Sequence, residues 1–376
     1  MAEPLYDVEV PFRFVGPIGL KDGRLLGFNW PLKIMHSADG GRTWQDEGPM
    51  INRDGTEFTG KDPVVKNVIR MASGAIAVAY WEKLPKQIGT RHLQSYFRKS
   101  IDEGKTWSDP VQVTWPNTPT VTTFLMQMSS GRLIVPNAYV YDQETEKHIH
   151  NTMQISTVFY SDDEGETWEE SADSVFVGKE YRGARVTSVE EPAIAETADG
   201  RLLMFMRTGV QRIAQSYSND GGEHWEQGVL NSLVSSLAAI WLTRIPTTGD
   251  LLCVWNQSSA EETATGYYRS RLTSAISKDS GATWQNFRTL ASGPGIKEID
   301  RITDPEPPGF LESSGVVPEP GRIPREGHRT VRHPRVRFID DRAFFTFDDR
   351  WYNQQGEKTS MTWKLRALPV SWFYEG

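Results

Sequence analysis

Apolar residues fall in one phrase that occurs six times along the chain: a short apolar run, a polar turn usually carrying Gly, and a second apolar run. The phrase reads GLKDGRLLGF at 19–28, IRMASGAIAVAY at 69–80, FLMQMSSGRLIVPN at 124–137, AIAETADGRLLMFMR at 193–207, WLTRIPTTGDLLCVWN at 241–256 and VRFIDDRAFFTFDD at 336–349. Apolar runs this short, bounded by turn residues, predict strands joined as tight hairpins. After five of the six phrases comes a second motif, Ser-x-Asp-x-Gly-x-x-Trp. It is SADGGRTW from Ser37, SIDEGKTW from Ser100, SDDEGETW from Ser161, SNDGGEHW from Ser218 and SKDSGATW from Ser277. Successive serines lie 63, 61, 57 and 59 residues apart, too far for a solenoid turn and suited to a four-stranded sheet with its loops. The pattern predicts an all-β, six-bladed propeller in which the repeated phrase is the inner hairpin and the Asp box turns strand three into strand four.

The box has a structural logic of its own. Ser and Asp bond local backbone groups in a tight turn, Gly supplies a positive φ, and Trp packs the turn onto the sheet. Its aspartates are therefore read as structural. The sixth repeat lacks a box and is short of sequence after Trp363, so the segment Leu5 to Val10 is expected to complete that blade and close the ring. On this reading residues 1–376 form one propeller domain. Residues 293–327 break the rhythm with a Pro- and Gly-rich stretch, an irregular insertion expected to serve as an active-site lid or an oligomer contact.

Composition narrows the choice of function. Aromatic residues make up 11% of the chain, including 13 Trp, in keeping with many half-buried strands. No apolar run approaches the roughly 18 residues of a membrane span. Residues 1–15 lack the basic start and apolar middle of a signal peptide, so the chain is expected to be cytoplasmic or to have lost a leader. Cys253 stands alone within an apolar strand and reads as a buried packing residue. With 41 Lys and Arg against 49 Asp and Glu, a net charge of −8 and no basic block, nucleic acid is an unsuitable partner.

In a propeller the first strands surround the axis and their starting ends gather on one face. The residues entering the six inner hairpins are Arg13, Asp62, Thr120, Glu191, Ser236 and His333. Arg207, at the end of strand two of blade four, and Arg269, at the start of strand three of blade five, join them. Guanidinium groups in this number are costly to bury unless paired, and each fork matches a carboxylate bidentately. An anionic ligand or internal salt bridges would satisfy them.

These residues also carry a resemblance. EPAIAETADGRLLMFMR at 191–207, followed by YSNDGGEHW, resembles the fourth-blade signature of the sialidase superfamily, with Glu191 leading and Arg207 sixteen residues later. RSRLTSAISKDSGATW at 269–284 is similar to the fifth-blade phrase of bacterial sialidase-like BNR-repeat proteins, its leading Arg matching Arg269. FRFVGPIGLKDGRLLGF at 12–28 is a degenerate form of the Phe-Arg-Ile-Pro element, with Arg13 in place and the Ile-Pro pair absent. The resemblance spans essentially the whole chain. It implies an exo-acting glycosidase whose arginines Arg13, Arg207 and Arg269 clamp the carboxylate of a sialic-acid-like sugar, with no metal or cofactor. In such enzymes a Tyr nucleophile is activated by Glu, and a first-blade Asp is the acid/base. A phenol suits because an anionic nucleophile would be repelled by the sugar's carboxylate.

Two family parts are missing. No Asp or Glu lies between Asp22 and Asp39, and no Tyr lies between Tyr268 and Tyr352. His333 stands where the Tyr is expected, beside Arg332 and Arg335. Three readings follow: a divergent hydrolase with Glu191 as base and Asp62 recruited as acid/base, a uronate lyase with His333 as base, or a non-catalytic acidic-glycan binder. Secondary candidates are His92, His148, His150 and His328 as metal ligands, Tyr181, Arg182 and Arg185 reaching over the pocket, and Trp30, Trp81 and Trp255 as sugar-stacking platforms.

Overall fold

The computed structural model describes residues 4–11, 13–83, 93–115, 120–122, 124–141, 153–181, 184–187, 189–267, 269–303 and 327–375. Six antiparallel sheets make a six-bladed propeller. Blade one is Val15–Gly19, Leu25–Asn29, Lys33–Ser37 and Gln45–Pro49, and blade two is Val64–Arg70, Ile76–Lys83, Leu93–Ser100 and Val111–Gln112. In blade three, Thr120–Thr122 and Met126–Gln127 both pair with Leu133–Tyr141, which leads to Met153–Ser161 and Glu169–Glu170. Blade four is Glu190–Glu196, Leu202–Arg207, Arg212–Ser218 and Val229–Val234, and blade five is Trp241–Arg244, Leu251–Trp255, Arg271–Ser277 and Gln285–Ser292. Blade six is His328–Ile339, Arg342–Tyr352 and Lys358–Pro369, with Tyr6–Val10 as its outermost strand. That last pairing runs antiparallel from Tyr6 opposite Ala367 to Val10 opposite Trp363. It joins the two ends of the chain in one sheet and covers the outer edge of Lys358–Pro369.

Each strand alternates its side chains between the two neighbouring blades, so the core is a ring of interfaces. Val68, Val78 and Tyr80 of blade two meet Leu26 and Phe28 of blade one. Ile134 and Val158 of blade three meet Leu202 and Met204 of blade four. Val254 and Ile276 of blade five meet Val331, Val336 and Phe345 of blade six, and Leu365 and Trp363 close onto Phe14 and Met35. The Asp boxes sit between strands three and four, as the repeat implies. In the first, Asp39 accepts from the Thr43 amide at 2.9 Å, the Thr43 hydroxyl at 2.6 Å and the Ser37 hydroxyl at 2.8 Å. The box tryptophan then leans on the preceding blade, as Trp107 does against Phe28 and Trp168 against Phe97. The boxes thus pin the periphery, and the axis is left to other residues. Phe124 of blade three reaches Trp241 of blade five with ring centroids 4.5 Å apart, bridging past blade four at the centre.

Two further elements lie outside the blades. A hairpin, Gly178–Tyr181 with Ala184–Thr187, separates blades three and four. A short helix, Ala260–Ala264, precedes strand three of blade five and is capped by Ser259 in a capping box with Glu262. Residues 293–303 contain no regular element and are tied to blade five and this helix. Arg271 holds Glu262 at 2.6 Å and the Lys297 carbonyl at 2.6 Å, and the Gln257 amide reaches the Asp300 carbonyl at 2.9 Å. The remainder of the insertion up to residue 326 lies outside the described residues.

Candidate functional site

Four of the six blade-entry positions hold a non-glycine residue in the left-handed region: Arg13 at φ 55°, Asp62 at 49°, Glu191 at 48° and His333 at 52°. For L-residues this conformation costs about 1–2 kcal/mol each. Three of the four precede proline, as Asp62-Pro63, Glu191-Pro192 and His333-Pro334, a step that further disfavours a helical backbone. The hairpin register slips between Glu190 and Ala193 and again between Arg332 and Arg335. A bulge of this kind takes a side chain out of the strict up-down alternation and re-aims it. His333 stands within the longer strand His328–Ile339 at its bulge, so the sixth blade begins earlier than the inner-hairpin pattern suggests. Of the other two entries, Ser236 is buried with its amide bonded to the Asn256 carbonyl at 3.0 Å, and the side chain of Thr120 lies outside the described residues.

Blades two, four and six repeat one pairing at this bend. The residue before proline meets a charged side chain on strand two, at its far end in blades two and four and within it in blade six: Asp62 with Lys83 at 3.1 Å, Glu191 with Arg207 at 2.8 Å, and His333 Nδ1 with Asp348 at 3.3 Å. Register makes the last two equivalent, because Glu190 stands opposite Arg207 as Arg332 stands opposite Asp348. The charges are inverted between them. In blade four the guanidinium is on strand two and holds both Glu190 and Glu191. In blade six the carboxylate is on strand two. Asp348 is fully buried, and its Oδ2 also accepts from Arg350 Nε at 2.9 Å and Nη2 at 2.5 Å.

The electrostatics tie these blades to one point. Burial opposes ionisation of Glu191, yet Arg207, then His333, Lys66 and Arg269, hold its carboxyl below the usual range. Residues from blades two, four, five and six therefore act on a single carboxylate. Burial likewise opposes the charge on Arg207, and Glu190 and Glu191 outweigh it, so this guanidinium stays firmly cationic. Burial lowers the His333 pKa against the pull of Asp348, leaving the imidazole neutral at pH 7. Asp348 resists its own burial through His333 and Arg350 and remains ionised. The His333 side chain is 41% exposed while its partner Asp348 is at 0%. The imidazole is thus partly open to solvent and backed by a dry carboxylate. Arg269 is oriented by the Leu237 carbonyl, which accepts from Nε at 3.2 Å and Nη2 at 2.7 Å. Arg335 and Arg337 continue along the first strand of blade six, pressed by burial down to about 10 and about 9 and still cationic at neutral pH. In a chain of net charge −8, this axial region is locally positive and suited to an anion.

Glu191, Arg207, Arg269 and His333 converge in this way. Asp62 is exposed at the rim with Lys83, and Arg13 is exposed with its charge felt at Arg335. Arg207 is not an open clamp, since Nη1 and Nη2 are both committed to carboxylates and its buried Nε has no partner. The structure adds Asp348, Arg350, Lys66 and Arg337, which the repeat pattern did not single out. The signal that could have found Asp348 is the recurring charged-residue-Pro step, which marks the blades whose strand two carries a counter-charge. Trp255 is fully buried and donates to the Val234 carbonyl at 2.8 Å, so it is core and not a stacking platform. Trp30 is exposed, and Trp81 is partly buried with Lys66 Nζ 5.1 Å from its ring. Cys253 is buried in the core between blades four and five. His328 is buried between Tyr267 and Tyr352, and no cluster of metal-ligating side chains occurs among the described residues. His92, His148, His150 and Arg182 lie outside the described residues, as do the side chains of Tyr181 and Arg185.

A six-bladed ring with Asp boxes on its rim and arginines gathered about a buried glutamate is in keeping with a sialidase-like propeller. The BNR repeat-like domain family matches residues 31–326, and the chain belongs to that family within the sialidase-like BNR superfamily. It is similar to a sialidase of Bacteroides fragilis, 26% identical over 83% of this chain and 61% of the relative, so it spans about three-fifths of that protein's length. A protein of unknown function from Dyadobacter fermentans superposes with a TM-score of 0.62 at 16% identity, covering 98% of this chain and 99% of that one. Trypanosoma rangeli sialidase, solved in complex with sialic acid, superposes with a TM-score of 0.50 at 14% identity over 97% of this chain and 55% of its own. At these identities the structural likeness speaks for the fold.

Proposed function

We propose that the chain is an exo-acting glycosidase that removes a terminal acidic, sialic-acid-like sugar. The observation that carries this is the gathering of Arg207, Lys66 and Arg269 about the Glu191 carboxylate, with Arg207 Nη1 at 2.8 Å, a positive region with an ionised base at its centre. The family membership and the resemblance to sialidases support the same reading. Arg13 and Arg269 take part in binding the sugar's carboxylate. Glu191, kept ionised, accepts a proton from water as its oxygen bonds to the anomeric carbon. The glycosidic bond breaks towards the leaving oxygen, which takes up a proton from solvent at the rim, where Asp62 stands with Lys83. His333 fills the place of the family's Tyr. A neutral imidazole, like a phenol, offers no negative charge to repel the substrate carboxylate.

The His333–Asp348 pair favours a second reading, eliminative cleavage of a uronate. There His333, oriented by Asp348, withdraws the proton beside the carboxylate while guanidinium groups stabilise the enolate-like intermediate and the leaving oxygen departs. Products separate the two. Incubation with sialosides, other ulosonates and uronic-acid glycosides is expected to release free acidic sugar without ultraviolet absorbance, and Glu191→Gln is expected to lower turnover by about 10²–10⁴. An absorbing unsaturated product would establish elimination instead. Full activity in Glu191→Gln would remove Glu191 from the mechanism.

A further inference from the structure

We propose that the fork gripping the carboxylate of the acidic ligand is Arg335 of the sixth blade, taking the place that the resemblance gives to Arg207. This rests on the acidic-sugar reading above and names its anion-recognising residue. Arg207 is already committed to two carboxylates, Nη1 to Glu191 at 2.8 Å and Nη2 to Glu190, with only its buried Nε unpartnered. Turning either nitrogen to a ligand would strand a carboxylate in a largely buried site, a costly exchange. Arg335 differs in making no ion pair with a carboxylate among the described residues. Its Nη1 is buried with no hydrogen-bond partner, and its guanidinium lies 5.5 Å from the Trp363 ring centroid, a cation–π contact that consumes no donors.

Its position suits the role. Arg335 is two residues past His333 on the same strand, beyond the bulge, at most about 7 Å along the backbone. The charges acting on it are Asp348, the partner of His333, and Arg13 of blade one. Behind it Arg337 has Nε and Nη2 buried without partners, with its guanidinium 4.9 Å from the Trp241 centroid. Two neighbouring cations with buried, unused donors form a site that an oxyanion completes, and a carboxylate matches the fork of Arg335. Arg13 on one side and Arg335 on the other place the anion between blades one and six, next to His333 and clear of the Glu190–Arg207–Glu191 cluster.

Isothermal titration of the full chain with N-acetylneuraminate, glucuronate and uncharged glucose tests this. At least one acidic sugar is expected to bind and glucose is not. Arg335→Met is expected to lose at least tenfold in affinity. Arg335→Lys, which keeps the charge and removes the fork, is expected to lose about fivefold with its unfolding midpoint retained, and this variant decides the matter if Arg335→Met fails to fold. Unchanged affinity in a folded Arg335 variant overturns the proposal, and so does a chain that binds neither acidic sugar. Binding through Arg335 with no turnover would sink the glycosidase reading and leave this assignment standing. Turnover of an acidic glycoside with KM unmoved by the Arg335 substitutions would do the reverse.

Discussion

His333 carries two opposed influences, burial lowering its pKa and Asp348 raising it, with burial the larger. Activity that needs the neutral imidazole should therefore rise with pH along a limb whose midpoint lies below the ordinary histidine value of about 6.5. Asp348→Asn removes the opposing pull and should move that limb further towards acid, readable in the pH dependence of kcat/KM or in the His333 ring proton shifts. A limb that stays in place would show that Asp348 does not govern the imidazole. His328 makes a separate prediction. Burial and Arg332 hold its pKa near 4, so between about 6.5 and 4 the unfolded chain binds the extra proton. Stability is fully present above about pH 6.5 and falls on acidification, by roughly 3 kcal/mol. His328→Phe, set between Tyr267 and Tyr352, should flatten that slope in denaturant titrations at pH 7 and pH 4.5. At this level the sequence shows which residues are chemically loaded, but not which are already spoken for. Nothing in EPAIAETADGRLLMFMR indicates that Arg207 is held by two carboxylates, because Glu190 acquires its meaning only through the bulge that sets it opposite Arg207.

The blades are legible for a different reason. A strand hairpin depends on local alternation and turn chemistry, and both are written in consecutive residues, so the six phrases and five boxes translate directly into sheets. What the boxes do between blades is less visible. Gly165 has φ 88°, and a Cβ there would strike the ring of Phe97 on the preceding blade. Gly131, at a hairpin tip with φ 98°, has open space around the same position. Gly165→Ala should cost roughly 2–4 kcal/mol, combining the backbone penalty with overpacking, and Gly131→Ala only about 1–2 kcal/mol. Urea titration of the two variants checks this, and equal losses would mean that the box glycine serves its turn alone. The bends before Pro63, Pro192 and Pro334 belong to the same level. Their recurrence in alternate blades is present in the sequence, but it becomes a pattern only once blade numbering and register are known.

Ring closure is a property of the whole chain. Tyr6–Val10 completes blade six, Glu9 pairs with Lys364 at 2.9 Å and Asp7 with Arg366 at 2.5 Å, and the Tyr6 hydroxyl reaches the Gly40 carbonyl of blade one at 2.5 Å. Removing residues 1–11 should expose the Lys358–Pro369 edge and the apolar face around Trp363 and Leu365. We expect a lower denaturation midpoint and association on size-exclusion chromatography; a monomer with an unchanged midpoint would mean that the other blades hold the ring unaided. Closure also brings the charge of Arg13 to bear on Arg335, although more than 300 residues separate them in sequence, and the proposed anion site thus draws on the first and last blades. The most direct measurement of that claim is a crystal structure of the chain with a bound acidic monosaccharide. The account predicts the sugar near the axis, its carboxylate within hydrogen-bond reach of Arg335 and its ring facing His333 and Glu191. A carboxylate held by Arg207 with Glu190 and Glu191 displaced, or a sugar bound away from the axis, would contradict it.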